Sequence, residues 1–525
     1  MSFPMISELQ STTRDTSASS AERCPYLLSG GISLTLALSL ALAGCTVGPD
    51  FKAPMAPQGL GNVYGPTELP ATTQAVTGSE IGNTGIAQHI VYGQELPAQW
   101  WTLFHSEALD QLIRSALQQN PTYASAQAAL RLAKENYNAG SGQLQYPKVT
   151  GQVGATRERA QLVSVTPSDF NLYNASVNVS YTLDVFGGSR RQLEGLMAAV
   201  DYQQFELEAA YQMLVSNVVT TAIREAALRA QLKATQSILD AQQKQLEIIE
   251  KQFALGAITR SVVLAQRTLV AQTQTLVSPL EKSLAQTRNQ LAVYVGKLPS
   301  ESGLPEFQLD SLQLPPELPV SLPSSLVRQR PDIRASEALL HEASAQIGVA
   351  TANQYPQFNL TGNYSANRLE LNGVGGSSTL WNIGAGLTQP IFEGGSLSAK
   401  RRAAEAAYDQ TAAQYRATVL GAFQNVADNL RAIDADAATL NAQANAESLA
   451  RESLEISRRQ YQLGSVSHLA LLDAERIYEQ AYINLVAAKS ARLSDTAALF
   501  VSLGGGWWNR SEDIAATDKG VTGKN

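Results

Sequence analysis

The apolar residues of this 525-residue chain follow a helical spacing that gives way twice to alternation. Every second residue is apolar after Pro147, and the same pattern returns after Pro356. The residues predicted to share one strand face are Ala175, Val177, Val179, Tyr181, Leu183 and Val185, then Phe358, Leu360, Gly362, Tyr364, Ile383, Ala385, Leu387, Gln389 and Ile391. Alternation of this length is typical of a membrane barrel strand, but a half-buried sheet in a soluble protein alternates in the same way. Polar loops are expected between the paired strands, at about residues 157–174 and 366–380.

Two very long helices are predicted after the strands. Residues 189–254 contain no proline and a single glycine, Gly195, and residues 396–463 contain no proline and a single glycine, Gly421. Each stretch of about 65 residues would form a helix roughly 100 Å long. Helices of this length imply a coiled coil or a repeat assembly.

The two regions are copies of one unit. The segment Gln-Phe-Ala-Leu-Gly at 252–256 reappears as Gln-Tyr-Gln-Leu-Gly at 460–464, an offset of about 208 residues. Each copy is predicted to run helix, strand, loop, strand, very long helix, turn, long helix. Gly187 and Gly188 in the first copy, and Gly394 and Gly395 in the second, mark the junctions where a strand becomes a helix, because glycine tolerates the backbone angles of an abrupt turn.

The N-terminal region is predicted to carry an export signal. Residues 27–43 are an apolar run, shorter than a spanning helix, and they end in Leu-Ala-Gly followed by Cys45. This sequence resembles a bacterial lipobox, which would make Cys45 the lipidated first residue of the mature protein. Thr46 favours the outer membrane as its destination. The alternative is a plain signal peptide in which Cys45 is incidental. The other cysteine, Cys24, lies in the removed segment, so no disulfide is expected.

Composition excludes several classes of protein. The net charge is −7 and the pI about 5.4, which argues against a nucleic-acid partner. The histidines are scattered without metal-ligand spacing, and the sequence around His341 and Glu342 lacks the second histidine of a zinc-protease helix. No phosphate-binding loop or nucleophile elbow is present. We therefore expect neither an enzyme nor a metal site nor a cofactor, apart from covalent lipid on Cys45.

The predicted domain order follows from these features. Residues 1–44 form a lipoprotein signal peptide, 45–97 an irregular lipid-anchored arm, and 98–297 the first structural repeat. A proline-rich linker at 298–323 leads to the second repeat, 324–506, and a polar tail, 507–525. Four strands cannot close a barrel, and unpaired strand edges in lipid are prohibitively costly. The fold class is thus an α+β membrane protein: a homotrimer with a 12-stranded outer-membrane β-barrel, four strands per chain, continued by a long periplasmic α-helical barrel.

The chain resembles the outer-membrane efflux protein family of TolC-like trimeric tunnels, in its lipoprotein branch related to OprM and nodulation protein T. The matching segments are Cys-Thr-Val-Gly-Pro-Asp-Phe at 45–51, Trp-Trp-Thr-Leu-Phe at 100–104, Asn-Pro at 120–121, Tyr-Thr-Leu-Asp-Val-Phe-Gly at 181–187, Arg-Pro-Asp-Ile at 330–333, Gln-Pro-Ile-Phe at 389–392 and Leu-Leu-Asp-Ala at 471–474. The resemblance implies an open barrel in the outer membrane and a helical tunnel closed at its periplasmic tip. Its implied partners are a periplasmic adaptor (membrane fusion) protein and an inner-membrane pump, which we expect to be proton-driven.

The resemblance also suggests a gate near the start of the last helix. Asp473 matches an acidic lumen position, and three copies would form a carboxylate ring that binds or repels ions. Leu469, one turn earlier, would form an apolar constriction, and Tyr461 is assigned to the same gate. The alternative for Asp473 is a solvated residue paired with Arg476.

The turns between the long helices are the expected docking tips for the adaptor. They comprise Leu255, Gly256 and Ala257 in the first copy and Leu463, Gly464 and Ser465 in the second. The function that fits best is the exit duct of a tripartite efflux system, conducting small molecules passively. An outlet for type I polypeptide secretion and a structural lipoprotein built from coiled coils are the competing hypotheses.

Overall fold

The computed structural model of the protein describes residues 46–55, 64–65, 70–78, 81–160, 168–301, 303–371 and 374–510. The first half of the chain contains one short strand and then the first repeat. Its elements are β1 (His89–Tyr92), α1 (Glu107–Gln119), α2 (Pro121–Gln145), β2 (Lys148–Ala160), β3 (Ser168–Leu183), α3 (Gly188–Ala254) and α4 (Arg260–Tyr294).

The second half repeats this order. Its elements are β4 (Glu317–Val320), α5 (Pro323–Gln329), α6 (Pro331–Ala352), β5 (Gln357–Leu371), β6 (Val374–Thr388), α7 (Ser396–Gln462) and α8 (His468–Ser502). The predicted duplication is confirmed, and α3 and α7 are both 67 residues long. At 1.5 Å per residue, each spans about 100 Å.

Local sequence explains where the helices begin. The Asn120 side chain accepts hydrogen bonds from the backbone N–H groups of Thr122 and Tyr123, at 2.9 and 3.0 Å, and Pro121 occupies the first turn of α2. An asparagine cap followed by proline is a favoured helix start, because both remove backbone donors that would lack partners. The Asn120 amide also donates to the carbonyl of Tyr294 at 2.9 Å, which ties α2 to the end of α4.

The four long strands form one antiparallel sheet in the order β2-β3-β5-β6. The central pair, β3 and β5, joins the two repeats, with Val179 opposite Gly362 and Tyr181 opposite Leu360. The strands extend into the regions predicted as polar loops, over residues 157–160, 168–174, 366–371 and 374–380. The loop prediction is wrong for these residues, because backbone pairing does not require an apolar face; the rest of each predicted loop lies outside the described residues.

The alternation predicted from the sequence is confirmed by the register. Val177 lies opposite Tyr364, which lies opposite Trp381, so the apolar residues of neighbouring strands share one face. Trp381 and Ile383 on this face are exposed, whereas the reverse face carries polar residues such as Ser176, Asn178 and Asn363. There the Asn363 amide donates to the Asn178 side-chain oxygen at 2.6 Å. An apolar face of this extent is unusual in water and is suited to lipid.

The main core lies where the middles of the long helices meet the short elements. Trp100, Phe104 and Phe500 are buried there and stack edge to face or at tilted angles with ring centroids 5.8–6.5 Å apart. The arm predicted as irregular and the proline-rich linker each contribute a short strand, β1 and β4, which pair in parallel. Among the described residues, no helix combines the length and the hydropathy that a membrane crossing requires.

Candidate functional sites at the hairpin tips and the strand-to-helix junction

The two turns predicted as docking tips have the same backbone structure. At the first tip, the N–H of Gly256 donates to Phe253 and that of Ala257 to Gln252, both at 2.9 Å. At the second tip, Gly464 donates to Tyr461 at 3.0 Å and Ser465 to Gln460 at 2.8 Å. This pair of backbone hydrogen bonds is the Schellman motif. It requires a left-handed residue, and the glycines Gly256 and Gly464 supply it with φ of 74° and 72°.

Each tip exposes a leucine next to its glycine. Leu255 is 85% exposed and Leu463 is 81% exposed, and Ala257 and Ser465 are exposed as well. Two equivalent turns that each present a large apolar side chain to the surroundings are therefore available for contacts outside the chain.

The residues predicted to form the gate lie just after the second tip. Asp473 and Leu469 are one helical turn apart on α8, and both are exposed, Leu469 by 70%. The Asp473 carboxylate accepts a hydrogen bond from Arg476 at 2.9 Å, so the ion pair left open as an alternative is present. Tyr461 is half-buried instead, and its ring lies 5.2 Å from that of His468. Asp473 and Leu469 share an open face, whereas Tyr461 packs beside it.

A hydrogen-bonded link that the sequence did not predict joins the two hairpins beside these residues. His468 Nε2 lies 2.9 Å from Gln266 Oε1, and the Gln266 amide donates to the carbonyl of Gln242 at 2.9 Å. His468 and Gln266 are both buried, and burial lowers the pKa of His468, which favours the neutral ring. Two turns further along α8, burial raises the pKa of Glu475, an effect that Arg458 at 3.6 Å opposes.

The two strand-to-helix junctions use glycine in the same way but in different surroundings. Gly187 and Gly395 each precede a long helix with φ near 80°, at 80° and 83°. A Cβ added at Gly187 would lie 2.7 Å from Thr46 Cγ2, and one added at Gly188 would lie 3.0 Å from Ala352 Cβ. A Cβ at Gly394 or Gly395 would meet nothing within 4 Å. The first junction is closely packed and the second is open.

The first junction is packed because the chain immediately after Cys45 lies against it. The N–H of Val47 donates to Phe186 at 3.1 Å, and a Cβ at Gly48, whose φ is 93°, would lie only 2.5 Å from the Cα of Gly348 on α6. Cys45 itself lies outside the described residues. We call the surface formed by Gly187, Arg191, Glu194, His341 and Gly348 the N-terminal socket.

Arg191 is the centre of the N-terminal socket. Its side chain is only 6% exposed, and it donates to the carbonyl of Val47 at 3.3 Å, to Asp50 at 2.6 Å and to Glu194 at 2.7 Å. Ion pairs and hydrogen bonds to Asp50 and Glu194 outweigh burial and raise the pKa of Arg191. A buried guanidinium with several acceptors holds the residues before and after Pro49 in one geometry.

His341, rejected above as a metal ligand, has a different role in the structure. Its Nε2 lies 2.8 Å from a Glu194 oxygen, and the Phe51 ring stacks on the imidazole with centroids 4.4 Å apart. Neither the socket nor the link at His468 was predicted, because the partners are 140 to 300 residues apart in the sequence. The family-like segment at 45–51 was the only sequence signal for the socket, and it identifies the residues that are held but not the residues that hold them.

Comparison with known proteins identifies the architecture. The sequence profile of the family described as "Outer membrane efflux protein" matches residues 112–297 and 322–505, one match for each repeat. The chain belongs to the outer membrane efflux protein family. This efflux protein is a channel rather than an enzyme, and it is located in the outer membrane with a periplasmic helical part.

The relatives of this efflux protein are named for different cargo. This efflux protein is 28% identical to the antibiotic efflux pump outer membrane protein ArpC of Pseudomonas putida, over 91% of this chain and 96% of that one. It is 30% identical to the cation efflux system protein CusC of Escherichia coli O6:H1, over 90% and 98% of the two chains. The solved outer-membrane channel OprN superposes with a TM-score of 0.76 at 26% identity, over 88% of this chain and all of that one. The predicted TolC-like fold, with four strands and two long hairpins per chain, is confirmed.

Proposed function

We propose that this efflux protein works as a homotrimeric exit duct that conducts small molecules passively from an inner-membrane pump and a periplasmic adaptor to the outside. The observation that carries the proposal is the open four-stranded sheet, whose edges β2 and β6 present backbone groups without a partner strand in the described part of the chain. In lipid such groups must be paired, and four strands are too few to close. Three chains supply twelve strands, with β2 of one chain pairing with β6 of the next.

The same closure explains the rest of the exposed surface. The apolar sheet face becomes the lipid-facing wall, and the Asn178 and Asn363 side chains line the water-filled interior. In each chain, the helices α3 and α4 form one hairpin and α7 and α8 another, so three chains extend six hairpins from the barrel into the periplasm. A duct of this kind needs no energy source of its own, so an adaptor and a pump, proton-driven in our proposal, supply the transport energy.

The gate and the docking surface lie at the free ends of these hairpins. Three copies of Asp473 form a carboxylate ring, and Leu469 forms an apolar ring one turn away, on the exposed side of α8. Six leucine-bearing tips, those of Leu255 and Leu463, are the adaptor contacts. Exposure of both leucines supports this assignment, because the described part of the chain leaves each of these large apolar side chains more than about 80% exposed.

The membrane anchor is a lipid on Cys45. The N-terminal socket supports this assignment, because it holds Thr46 beside Gly187, in the short connection between the end of β3 and the start of α3. A lipid on the preceding residue would enter the membrane next to the barrel. The proposed domain division has a signal peptide at 1–44, an arm at 45–97, repeats at 98–297 and 324–506 joined by a linker at 298–323, and a tail at 507–525.

The decisive experiment is the susceptibility of a deletion strain to amphiphilic antibiotics, dyes and metal salts, with complementation by wild type, Cys45→Ala or Asp473→Ala. We expect the deletion to sensitise the cells and wild type to restore resistance, and the compounds affected identify the cargo. Unchanged susceptibility in a strain that lacks redundant outlets, together with a polypeptide missing from the medium, would instead support type I secretion.

A further inference from the structure

The register of the sheet shows where its lipid-facing surface ends. On the apolar face, the rows run from Leu183 at the helix end to Tyr173 near the loop end, a distance of ten residues along β3. Ten residues extend about 34 Å, and a strand tilt of about 40° reduces this to a height of about 26 Å. That is the height of the apolar band of an outer-membrane barrel, about 25 Å. Tyr173 therefore marks the outer boundary of the hydrocarbon layer.

Arginines follow on the same face at this boundary and immediately beyond it. Ala155 lies opposite Tyr173, so Arg157 and Arg159, two and four residues further along β2, continue the outward row. Arg368 on β5 lies directly opposite Tyr173. Because the helices leave the sheet at its other end, these three side chains lie at the level of the outer leaflet's headgroups.

The arginines have more charge than their neighbours neutralise. Arg157 and Arg159 are both 73% exposed and share one carboxylate, that of Asp169, at 3.5 and 3.8 Å. With Glu370 on the same face, three guanidinium groups face two carboxylates among the described residues of this region. Exposed pairs at these distances are weak, so the guanidinium groups are available to other anions.

The position of Arg368 also indicates that it reaches away from the apolar band. Its Nε and one terminal nitrogen lie 3.7 and 3.8 Å from the position that a Cβ on Gly375 would occupy. Gly375 pairs with Glu370, one row closer to the loop end. A long cationic side chain that bends out of hydrocarbon toward the headgroups is the expected behaviour at a membrane interface.

We propose that Arg157, Arg159 and Arg368 form an arginine collar that binds the phosphate groups of the glycolipid in the outer leaflet. The planar guanidinium fork matches phosphate oxygens in a bidentate geometry, and clusters of cations at headgroup depth attract anionic lipids. The collar continues directly from the apolar band, so one lipid molecule can place its acyl chains on the band and its phosphates on the arginines.

The test uses the full-length protein, extracted from outer membranes as its assembled form and stripped of lipid in detergent containing EDTA. Its affinity is measured by adding bisphosphorylated lipid A and following the rise in melting temperature. The triple variant Arg157→Gln, Arg159→Gln, Arg368→Gln is compared with a variant of equal charge change at exposed positions of the periplasmic helices, Arg224→Gln, Arg416→Gln, Arg459→Gln. We expect at least about 10-fold weaker binding by the collar variant and unchanged binding by the control.

Two further comparisons decide the assignment. Dephosphorylated lipid A and phosphatidylglycerol are expected to bind wild type more weakly than the bisphosphorylated form, and equal binding of either would overturn the proposal. Equal affinity of wild type and the collar variant, or equal loss in the control variant, would do so too. If the collar variant does not assemble, lipid A binding is measured on Asp169→Asn instead, because this substitution releases Arg157 and Arg159 from their shared carboxylate. Tighter binding supports the collar, and unchanged or weaker binding refutes it.

Discussion

His468 and Gln266 are joined by a hydrogen bond of 2.9 Å that connects the last helix of the second repeat to the return helix of the first. The bond breaks the internal symmetry of the chain. At the offset of 208 residues, Gln266 corresponds to Ala474 and His468 to Arg260, so the equivalent pair in the other direction cannot form the same contact. The two hairpins are thus linked asymmetrically beside the proposed gate.

We predict that Gln266→Leu raises the resting conductance of the channel. The substitution leaves His468 Nε2 buried without its partner, which costs about 1–3 kcal/mol and weakens the link between the hairpins. Single-channel conductance in planar bilayers without adaptor or pump measures the effect. Gln272→Leu, at an exposed position of α4, is the matched control and should conduct as wild type does. Equal resting currents in all three proteins would show that the link does not restrain the gate.

Asp473 should control the ion preference of the tip. Asp473→Asn removes the proposed carboxylate ring, and we expect cation selectivity to fall severalfold. Arg476→Gln removes the partner of the carboxylate and should raise the preference for cations, because the pair at 2.9 Å is then absent. Reversal potentials in a salt gradient report both effects. If the two variants change selectivity in the same direction, Asp473 does not face the conducting path.

Arg191→Gln should release the chain that follows Cys45. The guanidinium donates to Val47, Asp50 and Glu194, and glutamine cannot replace these contacts. Lys52 is exposed and lies next to the held segment, so trypsin cleavage after Lys52 should accelerate by about 10-fold or more. Arg190→Gln, at a neighbouring exposed site, is the control. Both variants are also made on a Cys45→Ala background, which separates the effect of the socket on cleavage from that of the lipid. Equal cleavage rates for the two arginine variants would show that Arg191 does not hold the segment.

The two helix-starting glycines should differ in their tolerance of alanine. Both have φ near 80°, which costs any L residue about 1 kcal/mol. Only at Gly187 does the added Cβ also collide with another segment, since Thr46 Cγ2 would be 2.7 Å away. We therefore expect Gly187→Ala to lower the free energy of unfolding by about 1–3 kcal/mol more than Gly395→Ala does, which a larger fall in melting temperature would report. Equal losses would indicate that the segment at Thr46 moves aside without cost.

A carboxyl pair between α7 and α8 should make stability depend on pH. Burial, and then the neighbouring Asp495, raise the pKa of Asp436 from 3.8 to about 7, while Arg492 opposes the rise. The folded protein therefore holds a proton that the unfolded chain releases near pH 4, so this group's contribution falls as pH rises from about 4 through 7.

Asp436→Asn mimics the protonated acid. We expect its free energy of unfolding, relative to that of wild type, to rise by on the order of 1 kcal/mol as the pH increases from 5 to 8. Melting temperatures at the two pH values measure the gain, and Asp434→Asn serves as the control. A difference between wild type and Asp436→Asn that stays constant with pH would contradict the assigned pKa.

Local signals in the sequence determined the long strands and helices of this protein. Strict alternation at Val177 and Val179, proline-free stretches of 65 residues and glycines at 256 and 464 are local signals, and each local signal gave the right element because backbone geometry is set within a few residues. The repeat of these signals at a fixed offset determined the duplication. Polarity at the strand ends gave the wrong boundary, because the ladder of backbone hydrogen bonds extends further than the apolar pattern.

Only the tertiary structure decided which distant residues meet. Arg191 and Asp50 are 141 residues apart, and His468 and Gln266 are 202 apart, and no spacing in the sequence relates them. The strand register likewise required the structure, because the slip of β3 against β5 by one residue would have placed Arg368 on the opposite face. Contacts of this kind depend on how complete elements pack, and a pattern of period 2 or 3.6 describes a single element at a time.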